Sequence, residues 1–101
     1  MSVPLGPVEI VGIAWYRRSD WDKLRALFVD SDKLPSTWDD WERRATAMER
    51  MAQEQGKRVV RAEIRPKHFA DWCIRTGRQP DADARMAWGS EAAFAEHSKR
   101  H

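Results

Sequence analysis

The chain has 101 residues, 42% of them hydrophobic and 34% charged, and its 18 Lys+Arg nearly balance 16 Asp+Glu for a net charge of +2. Such a composition describes one globular domain and excludes a disordered polyelectrolyte, because enough apolar surface is present to offset the entropy of ordering the chain. It also gives little general attraction for nucleic acid, contains no apolar run near the roughly 18 residues that span a bilayer, and holds a single cysteine, which rules out an internal disulfide and fits a reducing cytoplasm.

Met1 to Pro7 carries two prolines and a glycine and reads as an extended lead-in, without the early positive charge or cleavage site of a signal peptide. Val8 to Tyr16 reads as a strand. Ile10, Val11, Ile13 and Trp15 put apolar groups on both of its faces, the pattern of a strand covered on both sides.

A first helix is expected from Ser19, with Ser19 and Asp22 at capping-box spacing and Trp21, Leu24, Leu27 and Phe28 on one face. Pro35 separates it from a second helix, which Ser36 should cap and Gly56 should end. Trp38, Trp41, Ala45, Met48, Met51 and Ala52 form its apolar stripe.

Lys57 to Arg65 alternates, with Val60, Ala62 and Ile64 on one side and Arg61, Glu63 and Arg65 on the other, so a strand with one buried and one wet face is expected. Pro66 suits the first turn of a third helix that packs through Phe69, Trp72 and Cys73 and stops at Gly77. Pro80-Asp81 opens a fourth, with Trp88, Ala92 and Ala95 on one side and Ala87 and Phe94 on another. Gly89 weakens its middle by about 1 kcal/mol relative to alanine. His97 to His101 should fray.

The order is β-α-α-β-α-α, which defines a single α+β domain over residues 1–101. Two strands joined through helices are most simply parallel, by a right-handed crossover. A two-stranded sheet is marginal in water, so a homodimer that completes a four-stranded sheet is expected. The two halves share the succession strand, aromatic helix, proline connector and helix, but a 48-residue shift does not keep the strand faces in phase.

No catalytic or metal frame is present. The acids Asp30, Asp32, Asp39, Asp40 and Glu42 fail the calcium-loop pattern, because Leu34, Pro35 and Trp41 stand where a ligand, a glycine and a glutamate are needed. Cys73 and His68 are about 140° apart on a helix, and His97 and His101 lie in the frayed tail. Glycine-rich phosphate loops and nucleophile motifs are missing. Cofactors and metals are therefore not expected, and neither is an enzyme. A catalytic alternative would need scattered groups such as Tyr16, His68 and Asp71 to be gathered in a pocket.

What remains is binding. Gly56 to Arg78 carries seven basic residues against Glu63 and Asp71. Arg61, Arg65 and Lys67 form the candidate nucleic-acid surface on the second strand, although no exposed aromatic stands among them to stack bases. Six tryptophans mostly serve as core. Trp15 and Trp88 are the two expected to surface beside arginines as a protein contact. The leading expectation is a non-enzymatic protein acting through protein–protein contact, with itself or another chain. Nucleic acid is the alternative and a membrane is not expected.

The strings WYRRSDWDKLRALF, DKLPSTWDDW and FADWC resemble a group of small uncharacterised bacterial proteins. These share W-Y near the first strand, L-P-x-T-aromatic-x-x-W at a helix start and W-C in a later helix. The resemblance covers about Trp15 to Trp88. It implies a bacterial, cytoplasmic, stand-alone domain and brings no activity, cofactor or partner with it.

Overall fold

The computed structural model describes residues 8–99. The expected lead-in over residues 1–7 lies outside that range, as do residues 100 and 101. The elements are β1 (Ile10–Trp15), α1 (Trp21–Leu27), α2 (Trp38–Glu54), β2 (Arg58–Glu63), α3 (Pro66–Arg75) and α4 (Ala82–Lys99), with short 3-10 turns at Arg18–Asp20 and Ser31–Lys33. The β-α-α-β-α-α order is the one its periodicities predict.

β1 and β2 are parallel, with Ile10 opposite Arg58 and Trp15 opposite Glu63. The Arg58 amide donates to the Glu9 carbonyl at 2.9 Å and the Ile64 amide to the Trp15 carbonyl at 2.8 Å. Parallel pairing needs a long crossover, and α1 and α2 supply it. Arg61 and Trp15 share one face of the sheet, which α2 covers through Trp41 and Glu49. Gly12 and Gly89 mark the other face, which α4 covers. Both faces of the sheet meet a helix, and on β2 the expected alternation holds: Ala62 and Ile64 are buried while Arg61, Glu63 and Arg65 are exposed, with Arg61 reaching α2 through Glu49.

Helix ends follow local chemistry with some shifts. Thr37, not Ser36, caps α2, its Oγ1 accepting from the Asp40 amide at 3.1 Å. No side-chain cap closes the start of α1, so the Ser19–Asp22 box does not form; a 3-10 turn stands there instead. Pro66 takes the first turn of α3 as expected. Gly56 and Gly77 adopt φ of 84° and 70° and end α2 and α3, conformations that disfavour any residue with a Cβ. α4 runs on through Lys99, so His97 to Lys99 are helical where fraying was expected.

The core is a continuous aromatic network at the carboxyl end of the strands. Trp38, Trp41, Trp15, Tyr16, Trp21 and Phe28 are linked ring to ring, and Phe28 passes the chain of contacts to Phe69, Trp72 and Trp88. All six tryptophans join it. Edge and tilted ring contacts of this kind add to the area each ring buries. Leu24, Ile64 and Phe69 are fully enclosed.

The α2 stripe is only half used. Trp41 and Ala45 are buried, whereas Met48 and Met51 are each 59% exposed. The amino-terminal half of the helix lies on the aromatic network, and the rest runs beyond it.

Asp30 ties the crossover between the strands to the start of α4. Its carboxylate accepts from the Ala82 amide at the start of α4 and forms a two-pronged pair with Arg85 at 2.8 and 3.2 Å. Arg85 in turn lies over the Phe28 ring and is itself buried. The acid is a cap and an ion-pair partner, which accounts for one member of the acidic group without any metal.

Candidate functional site

Parallel pairing turns backbone groups inward at every second residue. Glu9, Val11, Ile13 and Trp15 face β2, and Arg58, Val60, Ala62 and Ile64 face β1. The backbone groups of Ile10, Gly12 and Ala14 therefore point out of the sheet on one side, and those of Val59, Arg61 and Glu63 on the other. With two strands, both are edges, and they are not alike.

The β2 edge is guarded. Trp88 donates its indole N–H to the Glu63 carbonyl at 3.2 Å, which occupies the last outward acceptor. Charged side chains at Arg58, Arg61 and Glu63 discourage an incoming strand. The groove beside this edge encloses about 730 Å³ over Trp72 and Trp88, and His68, Asp71 and Arg75 line its α3 wall. Tyr16 is not among its lining. It is buried in the aromatic network, where burial pushes its hydroxyl up to about 12, partly offset by Arg85. The three groups of the catalytic alternative are thus not gathered in one place.

Among the described residues, the β1 edge is unguarded. Its six residues, Ile10 to Trp15, include no charged side chain. A groove of about 740 Å³ runs along it, walled by Met86, Ser90, Ala93 and Phe94 of α4 and entered past Val8. Phe94 is 72% exposed and Met86 69%. An apolar surface left open beside an unpaired strand is what strand addition requires.

The binding residues expected from sequence fall into two groups, Arg61 beside Trp15 and in one groove with Trp88, and Arg65 with Lys67 in a separate cleft. Arg61 lies 3.9 Å from the centre of the Trp15 ring and pairs with both oxygens of Glu49 at 2.8 and 2.9 Å. That pairing holds the Glu49 carboxyl below the usual range and raises the Arg61 guanidinium. Arg65 pairs with Asp20 and Glu63 at 3.5 and 3.8 Å. Lys67 shares a cleft with Arg65, Lys23, His68 and Asp20. Trp15 and Trp88 are half-buried members of the core network rather than a common patch. The basic run in the sequence is therefore cut up by ion pairs and does not make one positive surface.

Cys73 is buried and burial raises its thiol, so it behaves as a small hydrophobe. Among the described residues no cluster of His, Cys, Asp and Glu is arranged to hold a metal ion. No helix among them is long and apolar enough to cross a membrane.

The β1 edge went unnoticed in the sequence, although a signal was there. In a chain one-third charged, the run IVGIAW has no charge at all, and any strand of a two-stranded sheet must be an edge. No family model, no curated protein and no solved structure matches the chain.

Proposed function

We propose that this protein is a non-enzymatic binding domain that acts through protein–protein contact at the outer edge of β1. One observation carries it. Among the described residues, only the β1 edge combines outward backbone groups, an uncharged strand and an apolar groove with Met86 and Phe94 exposed. An edge of this kind is an aggregation hazard unless something pairs with it, whereas the β2 edge carries its own protection.

Nucleic-acid binding finds less support. Arg61 and Arg65 are paired with Glu49, Asp20 and Glu63, which lowers the positive potential around the cleft of Lys23 and Lys67 that a phosphate backbone would follow. A cytoplasmic setting is consistent with the lone, buried, reduced Cys73.

Photo-crosslinking tests the surface. A photoreactive amino acid placed at position 86 or 94 and irradiated in cells should give discrete protein adducts, while the same group at position 50, on the outer face of α2, should not. Equal labelling from all three positions, or none from 86 and 94, would reject the β1 edge as the contact.

A further inference from the structure

The walls of the β1 groove also bear on what kind of partner fits, an inference that rests on the proposed protein-binding role. The first consideration is steric. A Cβ on Gly12 would come within 1.8 Å of the Gly89 carbonyl oxygen, so α4 stands directly over β1. Paired strands are about 4.7–4.9 Å apart, whereas packed helices need about 8–10 Å between axes. A twofold-related copy that joined its β1 to this one would push two α4 helices into the same space. An added strand with no helix above it meets no such obstacle.

Size points the same way. A stable protein–protein interface draws on about 20–30 residues a side, and ten of the described residues line this groove. That scale suits a short extended segment, which gains affinity from backbone pairing as well as from area.

The third consideration is the chemistry of the rim. Among the described residues, Glu9 and His97 are the only titratable ones in the lining. Met86 overhangs the strand from α4. Met86 is more than half exposed. Methionine is flexible and polarizable, and it recurs on surfaces that accept varied apolar sequences.

We infer that the β1 edge takes up an extended segment of a different polypeptide, about five residues long with apolar side chains at alternate positions, as a third strand beneath α4. The chemical class is a proline-free, largely uncharged peptide. Its backbone pairs with Ile10, Gly12 and Ala14, and its apolar side chains pack under Met86 and Phe94.

A displayed library of random dodecapeptides, selected against the immobilised full-length chain, provides the probe. Selected peptides should share an alternating apolar core without proline. Titrated into the isotopically labelled protein, they should slow hydrogen exchange at the amides of Ile10, Gly12 and Ala14. Ile10→Pro removes one outward amide without touching the ladder, and Phe94→Glu changes an exposed side chain with no burden on folding; each should weaken binding by about tenfold or more. Sedimentation of the free protein should give a monomer. A dimer whose three edge amides are protected without peptide, and which Phe94→Glu dissociates, would leave the edge contact standing and overturn the extended-segment partner. Failure to select any such peptide, or selection of peptides that leave those amides unprotected, would overturn it too; crosslinking from positions 86 and 94 then decides whether the edge contact falls with it.

Discussion

Gly89 lies so close to Gly12 that neither has room for a methyl group: a Cβ on Gly89 would sit 2.6 Å from the Gly12 carbonyl oxygen, and one on Gly12 1.8 Å from that of Gly89. Both obstacles are backbone and cannot swing aside. A glycine in mid-helix is expected to cost stability, and here that cost is what lets α4 lie flat on β1.

Alanine at position 89 should therefore destabilise the fold despite its better helix propensity. The gain of about 1 kcal/mol in propensity is opposed by an overpacking cost of about 1–3 kcal/mol, and with backbone on both sides the loss should win. Gly12→Ala, with the tighter contact, should cost more. Urea unfolding measures both; a rise in midpoint for either variant would contradict the contact.

The pair of half-buried Asp30 and buried Arg85 predicts asymmetric mutational costs. Asp30→Ala leaves an enclosed guanidinium without its carboxylate and should cost about 3–5 kcal/mol. Combining Asp30→Asn with Arg85→Met removes both charges and should recover part of that loss. Arg85 holds the Asp30 carboxyl below the usual range, chiefly through its hydrogen bonds. The folded value is depressed, so the stabilisation is complete above the unfolded carboxyl's pKa and is lost as pH falls through the folded one. Acid unfolding of Asp30→Asn, from its own lower plateau, should accordingly be shallower than that of the parent.

Tyr16, the one tyrosine of the chain, offers a clean alkaline signal. Burial favours the neutral phenol and sets its folded value at about 12. The stabilisation is whole below the unfolded value near 10 and is lost as pH rises from there through the folded value, by about 2–3 kcal/mol in all. Ultraviolet titration should show no tyrosinate near pH 10.5 while the chain stays folded. Ionisation at the ordinary value would mean that the phenol is open to water.

Iodide should reach few indoles. Trp21, Trp41 and Trp72 are buried, and Trp15, Trp38 and Trp88 are partly covered by the same network. Native fluorescence should be quenched far less than that of the urea-unfolded chain. Comparable quenching in the two states would be incompatible with the aromatic core.

On heparin at low ionic strength, the chain should be only weakly retained, and Arg61→Gln should elute with the parent because Arg61 is already paired. Strong, Arg61-dependent retention would restore the nucleic-acid alternative.

The sequence by itself determined the elements and their order. Tryptophans at helical spacing, Pro66 in a first turn, Gly56 and Gly77 past helix ends, and the alternation of β2 are local signals, set by backbone sterics and by the need to bury large rings. Parallel pairing followed from connection length alone. Tertiary structure decided which faces are covered and which edges stay open. The alternation around Arg61 shows that it leaves the Ala62 side; it cannot show that α2 returns with Glu49 to meet it. Gly89 reads as a weak point until Gly12 is placed against it, and Phe94 reads as spare core until α4 is oriented. In each case the deciding contact joins residues distant along the chain, and no local pattern encodes a distance between two surfaces.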